Sequence, residues 1–174
     1  MPHREFLDLA VMYMVVVESS DSGCASFLLR NGMLEAYGVT QEEIEEAAAK
    51  NTYNEGFEKL SMAQLMAQMT GCDMGLTEED NPMYVISNKN RQNGARAMMF
   101  TQMFEELAEK YDSDIYILPS SIHEIIAIPA MAGMEENYLR NMVEEVNSTQ
   151  VAEEERLSNS IYRFDRAEKR VSIA

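Results

Sequence analysis

Residues Asp114–Pro129 read Asp-Ile-Tyr-Ile-Leu-Pro-Ser-Ser-Ile-His-Glu-Ile-Ile-Ala-Ile-Pro and contain two short apolar runs. Isoleucine dominates both runs and each has the length of a strand, which predicts two β-strands rather than a buried helix. Nearly every position is apolar, which indicates strands that are covered on both faces and central in a sheet. Pro119 ends the first strand because it cannot donate a ladder hydrogen bond. Ser120 and Ser121 then supply turn chemistry, so this segment is predicted to form a tight hairpin.

Three further pairs of apolar β-runs lie outward from this hairpin. They are Phe6–Val17 with Cys24–Arg30, Met83–Ser87 with Ala95–Phe100, and Ser160–Phe164 with Arg170–Ile173. The second half of the first run is apolar at every position, so it too is predicted to be a covered strand. An Asn-Gly pair precedes Ala95 and is typical of a hairpin turn.

Helices are predicted between these strands. Thr40 with Glu43, and Ser61 with Gln64, have the spacing of capping boxes, which mark helix starts. In the first helix a buried stripe is expected, made of Ile44, Ala47 and Ala48. The fold class is therefore α+β: a mainly antiparallel sheet built from hairpins with helices packed on one face, in a single domain of residues 1–174.

Composition places the chain among globular proteins. Its 174 residues are 46% hydrophobic and 25% charged, which is ordinary for a folded domain. No apolar run approaches the roughly 20 residues that span a bilayer, so no membrane association is expected. Cys24 and Cys72 lack metal-type spacing and, without an export signal, are expected to be reduced thiols of a cytoplasmic protein.

The net charge is −16, from 30 acidic and 14 basic residues. Such a charge argues against direct nucleic-acid binding, because that affinity comes mostly from Lys and Arg on phosphates. It is compatible with simple solubility, with a basic partner, or with an inhibitor that mimics DNA. The chain is also methionine-rich, with 15 Met, a residue that fills gaps in cores and lines adaptable binding surfaces.

His123 and Glu124 are the candidates for acid–base chemistry. The helical zinc signature needs a second His four residues after the first, and that position is Ala127, so no metal and no cofactor is expected. A structural histidine, hydrogen-bonded at a strand start, is the favoured interpretation. If the strand begins later, the turn presents Ser120, Ser121 and His123 together. The speculative binding site is completed from elsewhere in the chain and consists of Ser120, Ser121, His123, Glu124, Asn147 and Gln150.

Several motifs resemble those of a known family. They are Pro2-His3 before Phe6-Leu7-Asp8-Leu9-Ala10-Val11, Asn51-Thr52, Leu118-Pro119-Ser120-Ser121-Ile122-His123-Glu124, Val146–Val151 and Leu157–Tyr162. Together they resemble an uncharacterised domain family of clostridial, often gut-dwelling, Firmicutes. The resemblance implies no activity, substrate or cofactor. It implies an additional N-terminal region before the Pro-His segment in most members, so that this chain corresponds to a C-terminal half, an engineered fragment or a natural short form of such a protein.

Three hypotheses for the function remain. The first is a non-enzymatic protein-interaction module, since the chain lacks a Gly-rich phosphate loop, a metal-ligand cluster and a nucleophile elbow. The second is an enzyme whose site lies at the Ser120–Glu124 turn. The third is an acidic inhibitor that mimics nucleic acid. An unidentified protein partner is expected for the first, and the composition is also compatible with a homo-oligomer.

Overall fold

The computed structural model describes residues 1–20, 23–72, 75, 77–79, 81–131 and 134–174. Two units, Met1–Gly56 and Phe57–Ala174, contain the secondary structure. The first unit comprises, in chain order, β1 (His3–Phe6), β2 (Leu9–Met12), β3 (Met14–Ser20), β4 (Gly23–Leu28), α1 (Asn31–Tyr37) and α2 (Gln41–Glu55).

The strands of the first unit form two separate hairpins. β1 pairs with β2, and β3 pairs with β4, both antiparallel. The β3–β4 pairing confirms the predicted N-terminal hairpin, but a single strand over Phe6–Val17 is wrong. The chain reverses after β1, where Leu7 adopts a left-handed φ of 56°. No Gly or Pro marks this turn, so local composition does not reveal it.

The helices of the first unit carry few contacts. Thr40 and Glu43 form the predicted capping box at the start of α2. The predicted buried stripe is wrong, because no residue of α2 is buried: Ile44 and Ala48 are half-buried and Ala47 is exposed. Capping is satisfied by bonds within one turn, whereas burial needs a neighbour from another part of the chain.

The second unit contains the main sheet. Its elements are β5 (Glu58–Ser61), α3 (Met62–Thr70), β6 (Tyr84–Ser87), a 3₁₀ helix (Gly94–Met99), α4 (Gln102–Tyr111), β7 (Ile115–Pro119), β8 (Ile125–Pro129), α5 (Glu136–Thr149), a 3₁₀ turn (Glu153–Glu155), β9 (Tyr162–Asp165) and β10 (Arg170–Ile173). The strand order is β10-β9-β7-β8-β6-β5, and every neighbouring pair is antiparallel. The α+β class and the central β7–β8 hairpin are thus confirmed, as are the capping box at Ser61 and the β9–β10 hairpin.

The segment predicted as a strand over Ala95–Phe100 is instead the 3₁₀ helix. It packs against the sheet with Ala95, Ala97 and Met98 buried, and the Ala95 N–H donates to the Ile122 carbonyl at 3.2 Å. β6 is flanked by β5 on one side and β8 on the other, so neither of its edges is left for a strand from this segment. The short apolar run is therefore buried as a helix, an ambiguity inherent in such runs.

One face of the sheet packs on α5. Tyr116 and Leu118 of β7 cluster with Leu139 and Val143 of α5 in one hydrophobic core. Since alternate residues of a strand point to the same face, α5 covers the face on which Tyr116 and Leu118 lie.

The other face packs on α4. Phe104 of α4 contacts Phe164 at a ring distance of 5.9 Å, and Phe164 stands opposite Ile115 in the ladder. Ile115 lies one residue from Tyr116 and so faces the other way. The two helices therefore lie on opposite faces, which corrects the expectation of helices on one face and explains why β7 is apolar throughout.

Among the described residues, every helix falls short of the length and apolarity that crossing a bilayer requires.

Candidate functional site

The Ser120–Glu124 turn joins β7 to β8, and β8 begins at Ile125 rather than at Ile122. Backbone and side-chain bonds close it. The Ser121 N–H donates to the Glu124 carbonyl at 3.2 Å, and the Ser121 hydroxyl accepts from the His123 N–H at 3.0 Å. The hydroxyl of Ser121 is thus oriented toward the backbone of the turn.

Neighbouring segments bond two further backbone groups of the turn. The Ile122 N–H donates to the Glu155 carbonyl at 2.8 Å. The Ser87 hydroxyl donates to the His123 carbonyl at 2.7 Å. These bonds tie the turn to the 3₁₀ turn at Glu153–Glu155 and to the end of β6.

Both ring nitrogens of His123 have partners. Nδ1 accepts from the Asn93 backbone N–H at 3.2 Å, so the neutral ring carries its proton on Nε2. Nε2 lies 3.4 Å from a carboxylate oxygen of Glu155. The ring therefore bridges three segments, and this geometry is that of a structural brace.

The other proposed site residues lie on α5 and at its end. Asn147 is 4% exposed, and its amide donates to the Ser158 carbonyl at 2.9 Å and to Asn159 Oδ1 at 2.8 Å. Gln150 is exposed and ends α5. The Asn147 amide thus holds Ser158 and Asn159 beside α5, and neither of these bonds involves His123.

A second polar cluster surrounds Tyr84. The Tyr84 hydroxyl lies 2.7 Å from that of Tyr111 and 3.0 Å from Glu78 Oε2, and Lys110 Nζ donates to it at 2.9 Å. Lys110 also pairs with Glu78 and lies over both aromatic rings. The sequence alone did not indicate this cluster, because its members come from three separate segments.

Electrostatics keep the Tyr84 cluster in one protonation state. Burial raises the pKa of Tyr84 above its ordinary value of 10.0, and the bond to Glu78 raises the pKa of Lys110. The Lys110 bond in turn lowers the pKa of Glu78. Both shifts favour the protonated forms of Tyr84 and Lys110 at neutral pH.

A cavity of about 570 Å³ lies beside the start of β7 and the end of β9. Its charged lining forms two ion pairs: Arg163 binds Asp114 Oδ2 through Nε at 2.9 Å and Nη2 at 2.5 Å, and Arg166 pairs with Asp112. Burial opposes ionisation of Asp114, but the Arg166 backbone N–H and the Arg163 guanidinium together hold its pKa below the ordinary value. Both arginines are neutralised by this chain itself.

In the described part of the chain, no three His, Cys, Asp or Glu side chains are grouped so that they could hold a metal ion.

The β3–β4 hairpin exposes several apolar side chains. Its exposed apolar side chains, here termed the hairpin surface, are Met14, Val15, Val16, Val17, Phe27 and Leu28. Val16 and Val17 are 58% and 68% exposed, although the run was predicted to be covered on both faces. The apolar pattern was thus visible in the sequence, but its exposure was not.

Both units are acidic, including the one that carries this surface. Residues 1–56 contain ten acidic and three basic residues, a net charge of −7. The hairpin surface is therefore an apolar area on an acidic unit.

Comparison with known proteins adds the family and nothing further. No curated protein matches the chain, and no solved structure matches it. The protein-family model described as "Family of unknown function (DUF5688)" matches residues 1–166 of the chain. The chain therefore belongs to the family of unknown function DUF5688.

Proposed function

We propose that the chain is a protein-interaction module that binds a partner protein through the hairpin surface. The observation that carries the proposal is the contrast between Val15–Val17, which have the continuous apolar character of a covered strand, and their exposure in the structure. Exposed apolar side chains grouped on one element mark interaction sites more often than chance exposure does.

Burial energetics support the same conclusion. Covering a valine side chain contributes about 1.5 kcal/mol or more, so a partner that covers several side chains of the hairpin surface gains useful affinity. Without a partner, these side chains remain in contact with water and contribute little to folding.

The turn at Ser120–Glu124 supports an interaction module over an enzyme. The Ser121 hydroxyl bonds the backbone of the turn, and the His123 ring bonds Asn93 and Glu155 of two other segments. The same observation weighs against the speculative site that Asn147 and Gln150 would complete.

Location and charge fit this proposal. Cys72 is a free and exposed thiol, which suits a reducing compartment such as the cytoplasm. The acidic surface serves solubility and the approach of a basic partner, and it makes an acidic mimic of nucleic acid the weaker proposal because the hairpin surface is apolar.

The test begins with photo-cross-linking. The photo-reactive residue p-benzoylphenylalanine is placed at position 17 of the full chain, and the chain is cross-linked in cells of the organism that encodes it. Adducts are identified by mass spectrometry, and the partner is purified. Its Kd is then measured for the wild type, for Val17→Lys and for Tyr138→Lys, which makes the same charge change at a 64% exposed side chain of α5.

We expect Val17→Lys to weaken binding about tenfold or more, since it places a charge in an apolar contact. Tyr138→Lys should change the Kd less than about twofold. Equal losses in both variants, or no loss in Val17→Lys, would contradict the proposal.

A further inference from the structure

We propose that the partner contributes an extended segment that adds to the outer edge of β4 as a third strand; this inference rests on the proposed function. In the described part of the chain, β3 and β4 form a sheet of two strands only. Each therefore has an outer edge beyond its ladder. Such edges template pairing with another chain, the recognition mode known as strand addition.

The two edges differ in regularity. The pairing register shifts between Val16 and Glu18, which makes Val17 the extra residue of a β-bulge in β3. A bulge bends its strand and disrupts an edge for pairing. β4 has no such extra residue, so its edge is the one that accepts a strand.

The ladder determines which groups of β4 point outward. The Leu29 N–H donates to the Tyr13 carbonyl at 2.9 Å, which places Leu29 inward, toward β3. In an antiparallel pair, inward and outward backbone groups alternate along a strand. Ser26 and Leu28 therefore direct their N–H and C=O groups to the outer edge.

Side chains beside this edge define the apolar part of the partner. Phe27 lies on one face of β4, and Ser26 and Leu28 lie on the other, since neighbouring residues alternate; all three are exposed. An incoming strand with β-branched residues meets apolar contacts on both faces. Such residues are also the ones that favour the extended backbone.

Charge selects a different protein over a second copy of this chain. Two copies joined at β4 would bring together two units of net charge −7 each, and like charges across an interface cost affinity. A strand flanked by Lys or Arg gains affinity from attraction to the acidic unit, whereas a second copy of the chain loses affinity through repulsion. The occupant is therefore a β-branched segment with basic flanks.

The probe that tests this inference is a fluorescein-labelled peptide, Lys-Lys-Val-Thr-Val-Thr-Val-Lys-Lys, titrated with the full chain by fluorescence anisotropy. Ser26→Pro removes one outward N–H and leaves the β3–β4 ladder bonds in place. Ser26→Ala is the matched control, because it keeps that N–H. Hydrogen exchange of the Leu29 amide reports whether the hairpin remains paired in each variant.

We expect Ser26→Pro to weaken peptide binding about tenfold or more, Ser26→Ala to bind as the wild type does, and the peptide to protect the Ser26 and Leu28 amides of the wild type from exchange. Protection at these two amides supports strand addition even where the proline variant loses Leu29 protection.

The inference is overturned if the wild type does not bind the peptide, or if bound peptide leaves both amides unprotected. Suppose that Val17→Lys abolishes peptide binding and Ser26→Pro does not change it. The hairpin surface would then still be an interaction site, but strand addition would be rejected. Failure of the cross-linked partner to depend on Val17 would instead reject the proposed function.

Discussion

The Nδ1 atom of His123 accepts a hydrogen bond from the backbone N–H of Asn93 at 3.2 Å. Asn93 has a left-handed φ of 55° and immediately precedes the 3₁₀ helix, so the bond holds a strained position in place. The imidazole thus connects the β7–β8 turn to the loop after β6, 30 residues away in sequence. This connection gives His123 a bond to a segment that is distant in sequence.

Removing the His123 ring should loosen this loop. We expect His123→Ala to destabilise the second unit by about 1 kcal/mol, because the Asn93 N–H loses its acceptor. His123→Asn offers an amide oxygen near the position of Nδ1 and should recover part of the loss. Hydrogen exchange at the Asn93 amide is the direct measurement, and unchanged protection in His123→Ala would show that the bond is unimportant.

Gly94 is a position where a side chain cannot fit. A Cβ atom there would lie 2.3 Å from Ser87 Oγ and 2.5 Å from the His123 carbonyl oxygen. We expect Gly94→Ala to cost about 3 kcal/mol, since backbone on both sides must move. Urea unfolding measures the change.

Gly32 provides the matched substitution. It lies within α1, and nothing surrounds its Cβ position within 4 Å. Gly32→Ala should therefore stabilise the chain by about 0.5–1 kcal/mol through helix propensity. Similar losses in the two variants would refute the steric explanation.

The ion pair between Asp114 and Arg163 should give the stability of the second unit an acid-sensitive component. The native pKa of Asp114 lies below its ordinary value of 3.8, so its contribution is present above that pH. It is lost as the pH falls through the native pKa, because the unfolded chain then binds the proton more readily. Asp114→Asn should flatten the fall in stability below about pH 4.

Arg163→Gln tests the origin of this effect. Since the guanidinium bond is one cause of the lowered pKa, this variant should also reduce the acid sensitivity, and the double variant should lose less than the sum of the two single losses. Thermal unfolding measured from pH 2.5 to pH 7 provides the comparison. If the losses of stability in the two single variants simply add up in the double variant, the acid sensitivity does not arise from the bond between Asp114 and Arg163.

High salt should allow copies of the chain to associate through the hairpin surface. At low ionic strength the net charge of −16 keeps copies apart. At about 1 M salt the repulsion is screened beyond roughly 3 Å, so exposed apolar strands should then associate reversibly. Sedimentation velocity should detect oligomers of the wild type at high salt and fewer of Val17→Lys, whereas Tyr138→Lys should behave as the wild type does.

Local chemistry explains what could be predicted about the candidate site. The hairpin around Pro119, Ser120 and Ser121 was predictable because turn residues interrupt two β-branched runs. The bonds from His123 to Asn93 and Glu155 were not, since they join segments about 30 residues apart. The Tyr84 cluster shares this property, because Glu78 and Lys110 carry no local signal.

The amino-acid sequence by itself determined the α+β class, the central β7–β8 hairpin, and the helix starts at Thr40 and Ser61, because these depend on contacts within a few residues. Tertiary structure decided the turn at Leu7, the helical state of Gly94–Met99 and the division of α4 and α5 between opposite faces. The helical state of Gly94–Met99 and the placement of α4 and α5 depend on space and partners supplied by distant segments, whereas the turn at Leu7 closes a local hairpin that no Gly or Pro marks. Tertiary structure also decided the exposure of Val16 and Val17. An apolar run indicates that a strand favours burial, but only the folded chain shows whether another element covers it.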